Sequence, residues 1–332
     1  MTHSKPMKRI YDKINTAGFN PGFIKKILPE WWDDSIADTP SGLQYASLHL
    51  AKLFSLSAES LWDDKKEVKF SFSTTHKFKH RINIEHQDLD VACAVAYSAA
   101  NLVAKNFKTN YDANKLLKWS DIRNNILQNK DWVDLESLAV FCSESGIPVI
   151  YLKNFPTKTK KMAGLALECM GRPVIVLTQG KKHGFMLFDL AHELGHIACN
   201  HLSEMNGQCF VDSKIDAHST NDVEKQANAF AFGVITGREA FNVGPAGSFL
   251  NGHNLACAAK VFGKAERIDP THVALNYGYS LKHWGVASTA VKEICEDKPS
   301  DQEIIIKALY NYIDMENIND DDLLALKAFI GE

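Results

Sequence analysis

A long interval without glycine or proline is the feature that most constrains the fold of this chain. Residues 43–145 contain neither residue type. Because glycine and proline are the strongest local signals of irregular structure, the interval is predicted to be mostly helical. The predicted helices cover residues 43–54, 88–107, 119–129 and 134–145. In the last of these, Asp134 is placed to cap the N-terminus and Gly146 to supply a left-handed stop.

After residue 146 the pattern changes to short β-branched runs bounded by glycine, proline and polar residues. The runs IPVIYL (147–152) and RPVIVL (172–177) are predicted strands, and a third strand is predicted within 162–168. Residues 185–202 return to a helical apolar pattern, and the chain is predicted to be helical again from residue 223. The expected fold class is therefore α+β: mainly helical, with a small sheet packed against the helix of residues 185–202.

Composition narrows the class of protein. The chain has 332 residues with 37 Lys+Arg against 40 Asp+Glu, which argues against whole-protein attraction to nucleic acid or to an anionic membrane. No run approaches the roughly 18 apolar residues of a membrane helix. No secretory signal is visible near the start of the sequence. The seven cysteines form no C-x-x-C pair, so neither a disulfide framework nor a thiolate zinc site is expected. We expect a soluble, cytoplasmic protein.

The segment FDLAHELGHIACNH (188–201) contains an H-E-x-x-H arrangement formed by His192, Glu193 and His196. The two histidines are one helical turn apart, separated by roughly 40° around the axis, so both imidazoles can face one metal ion. Glu193 is offset by about 100°, beside the metal rather than in line with the histidines. This pattern is typical of zinc hydrolases, in which such a glutamate accepts a proton from water.

The third metal ligand is not specified by this motif. His201 has the wrong spacing for the longer H-E-x-x-H-x-x-G-x-x-H pattern, and in a continuing helix it would face away from His192 and His196. It is therefore expected to be a surface or second-layer residue. The remaining candidates lie downstream: Glu204, Asp212, Asp216, His218, Asp222 and Glu224. Glu224 is favoured because it begins the predicted helix of residues 223–234, which can pack on the motif helix and complete a His₂Glu site. Asn228, one turn later, is placed to hydrogen-bond a ligand imidazole.

The segments AHELGHIACNH and EKQANAFA together resemble the ImmA/IrrE family of zinc metallopeptidases. Further matches are LAVFCSESGIPVIYL, Gly164, RPVIVL and FMLFDLAHELGH, so the resemblance covers roughly residues 132–235. It implies a zincin-like sheet, Zn²⁺ as cofactor, His192, His196 and Glu224 as its ligands, and Glu193 as the catalytic acid/base. The segment FAFGVITGRE (230–239) departs from the usual continuation of the family, which affects the expected pocket shape.

A proton donor that stabilises the tetrahedral intermediate is expected in such sites. Four residues of the C-terminal region qualify by chemistry: Tyr277, Tyr279, His272 and His283. No spacing rule selects among them.

The resemblance also predicts the organisation of the chain and its partner. Four regions are expected: an XRE-like helical domain of degenerate sequence (1–68), a helical connector (69–130), a zincin-like metallopeptidase core (131–245) and a C-terminal helical region (246–332). Residues 43–62 are similar to the last two helices of an XRE-type helix-turn-helix domain. The place of its reading helix is taken by residues 25–40, which are acidic.

The family resemblance implies a protein substrate, an XRE-type repressor or antitoxin. DNA binding has weak support, since residues 1–69 contain ten Lys+Arg against nine Asp+Glu. The function expected is therefore that of an intracellular zinc metallopeptidase. The alternative is a toxin–antitoxin or transcriptional regulator that acts by binding, with zinc as a structural or sensing element.

Overall fold

A computed structural model describes residues 5–63, 65–71, 86–155, 163–180, 183–202, 210–212, 221–245 and 247–332. These residues form fourteen α-helices, two short 3-10 helices and one four-stranded sheet. The helices before the sheet are α1 (Lys5–Thr16), α2 (Pro21–Ile27), α3 (Pro40–Leu53), α4 (Ala58–Trp62), α5 (His86–Lys105), α6 (Trp119–Leu127) and α7 (Leu135–Glu144). The strands are β1 (Val149–Tyr151), β2 (Gly164–Cys169), β3 (Arg172–Leu177) and β4 (Phe210–Asp212). The remaining helices are α8 (Phe185–Ala198), α9 (Asp222–Thr236), α10 (Gly252–Glu266), α11 (Pro270–Leu281), α12 (Trp284–Ile294), α13 (Asp301–Tyr312) and α14 (Asp320–Ile330).

The four predicted helices of the glycine- and proline-free interval are confirmed. They correspond to α3, α5, α6 and α7, with ends that differ by a few residues. The side chain of Asp134 accepts the N–H of Ser137 and caps α7, and Gly146 has a φ of 77°. The predicted strands are also confirmed, and β4 is an addition that the sequence pattern did not indicate.

The sheet has the strand order β1-β3-β2-β4. β1 and β3 are parallel, whereas β2 pairs antiparallel with both β3 and β4. A tight turn joins β2 to β3 through Met170 and Gly171, both at positive φ, as two-residue hairpin turns of this kind require. β4 lies at one edge of the sheet, with Asp212 opposite Gly164.

The sheet lies between two hydrophobic cores, because successive side chains of a strand point to opposite faces. Ala166 and Ile175 point into the core that contains α8 and α9, together with residues of α6, α7 and α10 to α13. Leu165 and Val174 point into the core formed with α1 to α5 and α14. Burial on both faces of the sheet explains why the strand sequences are continuous apolar runs. The expected α+β architecture, with a small sheet against the motif helix, is confirmed.

In the N-terminal region, residues 28–39 contain a 3-10 helix, Asp34–Asp38, between α2 and α3.

Among the described residues, no helix is long and apolar enough to span a lipid bilayer.

Candidate metal centre and active site

The motif helix α8 is held at its first turn by a side chain from α13. Gly184, with a φ of 85°, precedes the first helical residue, Phe185. The carboxylate of Asp301 accepts the backbone N–H groups of Gly184 and Met186, at 3.1 and 3.2 Å. First-turn N–H groups have no partner within the helix, and the helix dipole favours negative charge there. Asp301 therefore fixes the end of α8 that leads into the motif.

Glu224 lies in the first turn of α9, where Asn221 caps the helix by accepting the N–H of Val223. α8 and α9 approach closely at Gly195, because a Cβ there would lie 2.8 Å from the carbonyl oxygen of Ala227. Only a residue without a side chain allows this approach. The close packing brings the first turn of α9 to the motif histidines.

The other end of α9 is held by Arg123, which is buried. Its guanidinium donates to the carbonyl oxygens of Val234 and Ile235 at 3.2 and 2.6 Å, and to that of Arg267 at 2.7 Å. Burial, together with nearby Arg267, lowers the pKa of Arg123 to about 10. The last carbonyl groups of a helix need such external donors, so Arg123 fixes the C-terminal end of the helix that carries Glu224.

Three potential metal donors converge between α8 and α9. The Nε2 atoms of His192 and His196 are 3.0 Å apart. The Glu224 carboxylate lies 3.4 Å from Nε2 of His192 and 3.9 Å from Nε2 of His196. Bond lengths of about 2.0 Å at a tetrahedral zinc ion place ligand atoms about 3.3 Å apart. The three separations lie around this value, and the donors form a group that could hold a metal ion.

The remaining ring nitrogens of the two histidines each contact a polar partner. Nδ1 of His192 lies 2.9 Å from Oδ1 of Asn228. Nδ1 of His196 lies 2.9 Å from Nδ1 of His201, whose Nε2 lies 2.9 Å from Oε1 of Gln226. Such contacts orient ligand imidazoles and increase their basicity.

One assignment of the ring protons is consistent with all of these contacts. The amide oxygen of Gln226 accepts a proton from Nε2 of His201, so Nδ1 of His201 accepts one from His196. Likewise, Nδ1 of His192 donates to Asn228. With that assignment, both Nε2 atoms of the neutral rings direct lone pairs towards each other at 3.0 Å, an arrangement that a shared cation stabilises. The donor set therefore fits a divalent metal ion such as zinc.

The carboxylate of Glu193 lies on the side of α8 that faces the start of β2, and the residue is fully buried. A Cβ on Gly164 would lie 2.5 Å from Oε1 and 2.9 Å from Cδ of Glu193. The missing side chain at Gly164 therefore creates the space in which this carboxylate is held. A helical offset of about 100° places it beside the metal-binding face of α8.

His201 lies in a second layer behind His196, one of the two positions expected for it, but it does not face away, because the motif helix does not continue through it. α8 ends at Ala198, Asn200 adopts a φ of 61°, and the N–H of His201 donates to the carbonyl of His196. This turn folds the imidazole of His201 back onto His196, where it is buried. His201 thus holds the ring of His196 through a hydrogen bond.

The other third-ligand candidates are placed as follows. Asp212 lies in β4, and Asp222 is largely exposed and forms an ion pair with Lys225. Glu204, Asp216 and His218 lie outside the described residues.

The four candidate proton donors have different surroundings. His272 is buried among the rings of Phe188, Phe232 and Phe241, and burial lowers its pKa to about 4. Of the others, Tyr277 accepts the N–H of Leu250 through its hydroxyl, Tyr279 contacts Trp284, and His283 contacts Phe249. Phe188 contacts both His272 and His192, which connects His272 to the motif through one ring.

Several supporting residues were missed by the sequence analysis. Gly164 appeared there only as part of the resemblance, and the contribution of Gly195 is visible only once α8 and α9 are packed together. Gln226 follows Glu224 by two residues, an offset of about 200° around the helix, so its spacing gave no signal of a role near the site. Nothing in the sequence pattern links Asp301 to residue 184.

Comparison with protein families matches residues 142–245 to a peptidase M78 family described as the IrrE N-terminal-like domain. Comparisons with curated proteins and with solved structures find no match. The matched region runs from the end of α7 through α9 and contains His192, Glu193, His196 and Glu224. Residues 142–245 are therefore similar to a peptidase family, and the similarity covers the part of the chain in which the metal donors converge.

Proposed function

We propose that this protein is a zinc-dependent metallopeptidase that cleaves a specific protein inside the cell. The observation that carries the proposal is the convergence of two imidazoles and one carboxylate, with Glu193 buried beside them. The match to a peptidase family over residues 142–245 supports it.

His192, His196 and Glu224 would hold the zinc ion, and Asn228 and His201 would orient the two imidazoles. A His₂Glu set leaves an open position, as catalytic zinc sites require. When bound there, zinc supplies Lewis acidity towards a carbonyl oxygen and makes water nucleophilic near neutral pH.

Glu193 moves the proton in the proposed reaction. Its carboxylate accepts a proton from the attacking water and then donates it to the leaving nitrogen of the peptide bond. The contact with Gly164 restricts the carboxylate to one position, so the proton acceptor does not have to be reoriented during the reaction.

An extended substrate segment would align along β4. This strand lies at the sheet edge, and its residue Asp212 pairs with Gly164, next to Glu193. A sheet edge presents unpaired backbone groups that an added strand can use, whatever its side chains. A flexible segment of the target protein bound there would lie close to the proton acceptor.

The substrate class we propose is an XRE-type repressor or antitoxin. It rests on the resemblance of AHELGHIACNH and EKQANAFA to the ImmA/IrrE family. The near balance of charge in residues 1–69 favours protein recognition by the N-terminal helices over DNA binding.

Profiling of new N-termini tests the activity while the substrate is still unidentified. Wild-type protein, Glu193→Gln and His196→Ala are incubated with a bacterial lysate whose proteins are still folded, and bound zinc is measured in parallel. Wild type is expected to generate new N-termini, and helix-turn-helix proteins are expected among the cleaved proteins. Glu193→Gln should keep tightly bound zinc and lose cleavage, because the amide cannot accept the proton. His196→Ala should lose both.

Wild-type protein that produces no more new N-termini than Glu193→Gln would overturn the peptidase proposal. If zinc binding and a biological effect persisted in that case, the alternative of a regulator that acts by binding would be supported instead.

A matched pair of variants tests the third ligand. Glu224→Ala should weaken zinc binding by more than about 100-fold, because even outer partners of a ligand contribute about 10- to 100-fold. Asp222→Ala, an exposed carboxylate in the same turn of α9, should leave zinc affinity unchanged. Equal zinc affinity in Glu224→Ala and wild type would remove Glu224 from the site.

A further inference from the structure

A second group of metal-binding side chains lies on the surface, between α10 and α12. His253 and Cys257 lie one helical turn apart on α10, and Glu293 is on α12. Each offers one ligand atom, and the three atoms lie within 4.8 Å of one another. The group is distinct from the buried donors of α8 and α9.

The three side chains already contact one another. Nδ1 of His253 lies 3.0 Å from a carboxylate oxygen of Glu293, and its Nε2 lies 3.8 Å from Sγ of Cys257. At a tetrahedral zinc ion a sulfur and a nitrogen ligand lie about 3.5 Å apart. The side chains of His253 and Glu293 are 70% and 31% exposed, which leaves them room to rotate towards a shared ion.

The backbone that carries the group is fixed. A Cβ on Gly252 would lie 2.5 Å from Cγ2 of Thr289, so the first turn of α10 packs directly on α12. Thr289 lies one turn before Glu293 on α12. The side chains of the group can therefore move while their Cα positions stay in place.

We propose that His253, Cys257 and Glu293 form a second, surface zinc site. A thiolate, an imidazole and a carboxylate together suit Zn²⁺, whereas Mg²⁺ and Ca²⁺ require oxygen ligands. Binding releases the thiol proton of Cys257 to solvent. Three protein ligands leave a coordination position for water or for a donor from another molecule.

No thiolate zinc site was expected from the sequence, because no C-x-x-C pair is present. The surface group needs no C-x-x-C pair, because it has a single cysteine and its third donor comes from a separate helix. The proposal goes beyond the peptidase and does not depend on it, since the donors on α8 and α9 include no sulfur.

Cobalt(II) titration distinguishes the two sites. Only a site with a thiolate ligand gives an intense thiolate-to-cobalt charge-transfer band in the near ultraviolet. Wild-type protein should develop this band, and His192→Ala should keep it. Cys257→Ser should lose the band, whereas the control Cys199→Ser, at a half-buried cysteine, should keep it.

Equilibrium dialysis with zinc provides the second measurement. His192→Ala, which lacks one of the buried donors, should still bind a zinc ion at the surface group, and adding His253→Ala or Cys257→Ser should weaken that binding by at least about tenfold. Since both residues are exposed, neither substitution should change the thermal unfolding temperature of the metal-free protein. A wild-type protein without the cobalt band, or a band that persists in Cys257→Ser, would contradict the proposal. Loss of peptidase activity in Glu193→Gln has no bearing on it.

Discussion

Gly164→Ala is expected to displace the carboxylate of Glu193 without touching the metal donors. The new methyl carbon would lie 2.5 Å from Oε1 of Glu193, about 1 Å closer than the ordinary van der Waals separation of about 3.5 Å. The residue has no positive φ, so alanine itself is not strained there. A misplacement of about 1 Å at a catalytic group costs on the order of 100-fold in rate. Overpacking of this kind costs about 1–3 kcal/mol of stability.

The assay combines kcat/KM on a substrate found by N-terminal profiling with zinc content. We expect kcat/KM to fall about 100-fold while bound zinc stays at the wild-type level. In a Glu193→Gln background the same substitution should have no further effect on rate, because the displaced group is already inactive. Gly285→Ala is the control, since a Cβ there meets no atom within 4 Å. A Gly164→Ala enzyme with wild-type kcat/KM would refute the argument that this glycine positions Glu193.

Other predictions concern the residues that support the candidate metal centre. Gly195→Ala should push α9 away from α8 and weaken zinc binding through Glu224, measured by chelator competition; unchanged affinity would contradict the close-packing argument. His201→Ala should lower zinc affinity about 10- to 100-fold in the same assay. Arg123→Met should lower the free energy of unfolding by about 1–3 kcal/mol, measured in urea, because buried carbonyl groups lose their donors. Asp301→Ala should cost about 0.5–2 kcal/mol through the lost cap, and an unchanged unfolding midpoint would exclude that role.

Local sequence pattern was sufficient for most elements of the fold. The absence of glycine and proline indicated the helices before the sheet, and β-branched runs indicated β1 and β3. The pairing of β2 and β3 follows from a tight turn at Met170 and Gly171. β4 escaped prediction because three residues are too few to show an alternating pattern.

The candidate metal centre could be predicted from the sequence because the spacing of its donor residues is regular. Residues 192 and 196 share one helical face, and Glu224 begins a helix that can pack on them. The position of His201 was not accessible, because it depends on where α8 ends. A left-handed residue, Asn200, reverses the chain, and helix ends are poorly determined by apolar periodicity alone.

The N-terminal cap that Asp301 provides for α8 also limits how far the protein can be truncated from its C-terminal end. The region similar to peptidases ends at residue 245, yet two N–H groups at the start of the motif helix depend on a carboxylate from α13. The face of the sheet turned away from α8 is covered by α5 and helices still closer to the N-terminus. A truncated protein limited to residues 142–245 would expose that face to water and leave the motif helix uncapped. Expression for biochemistry therefore requires the flanking helices on both sides.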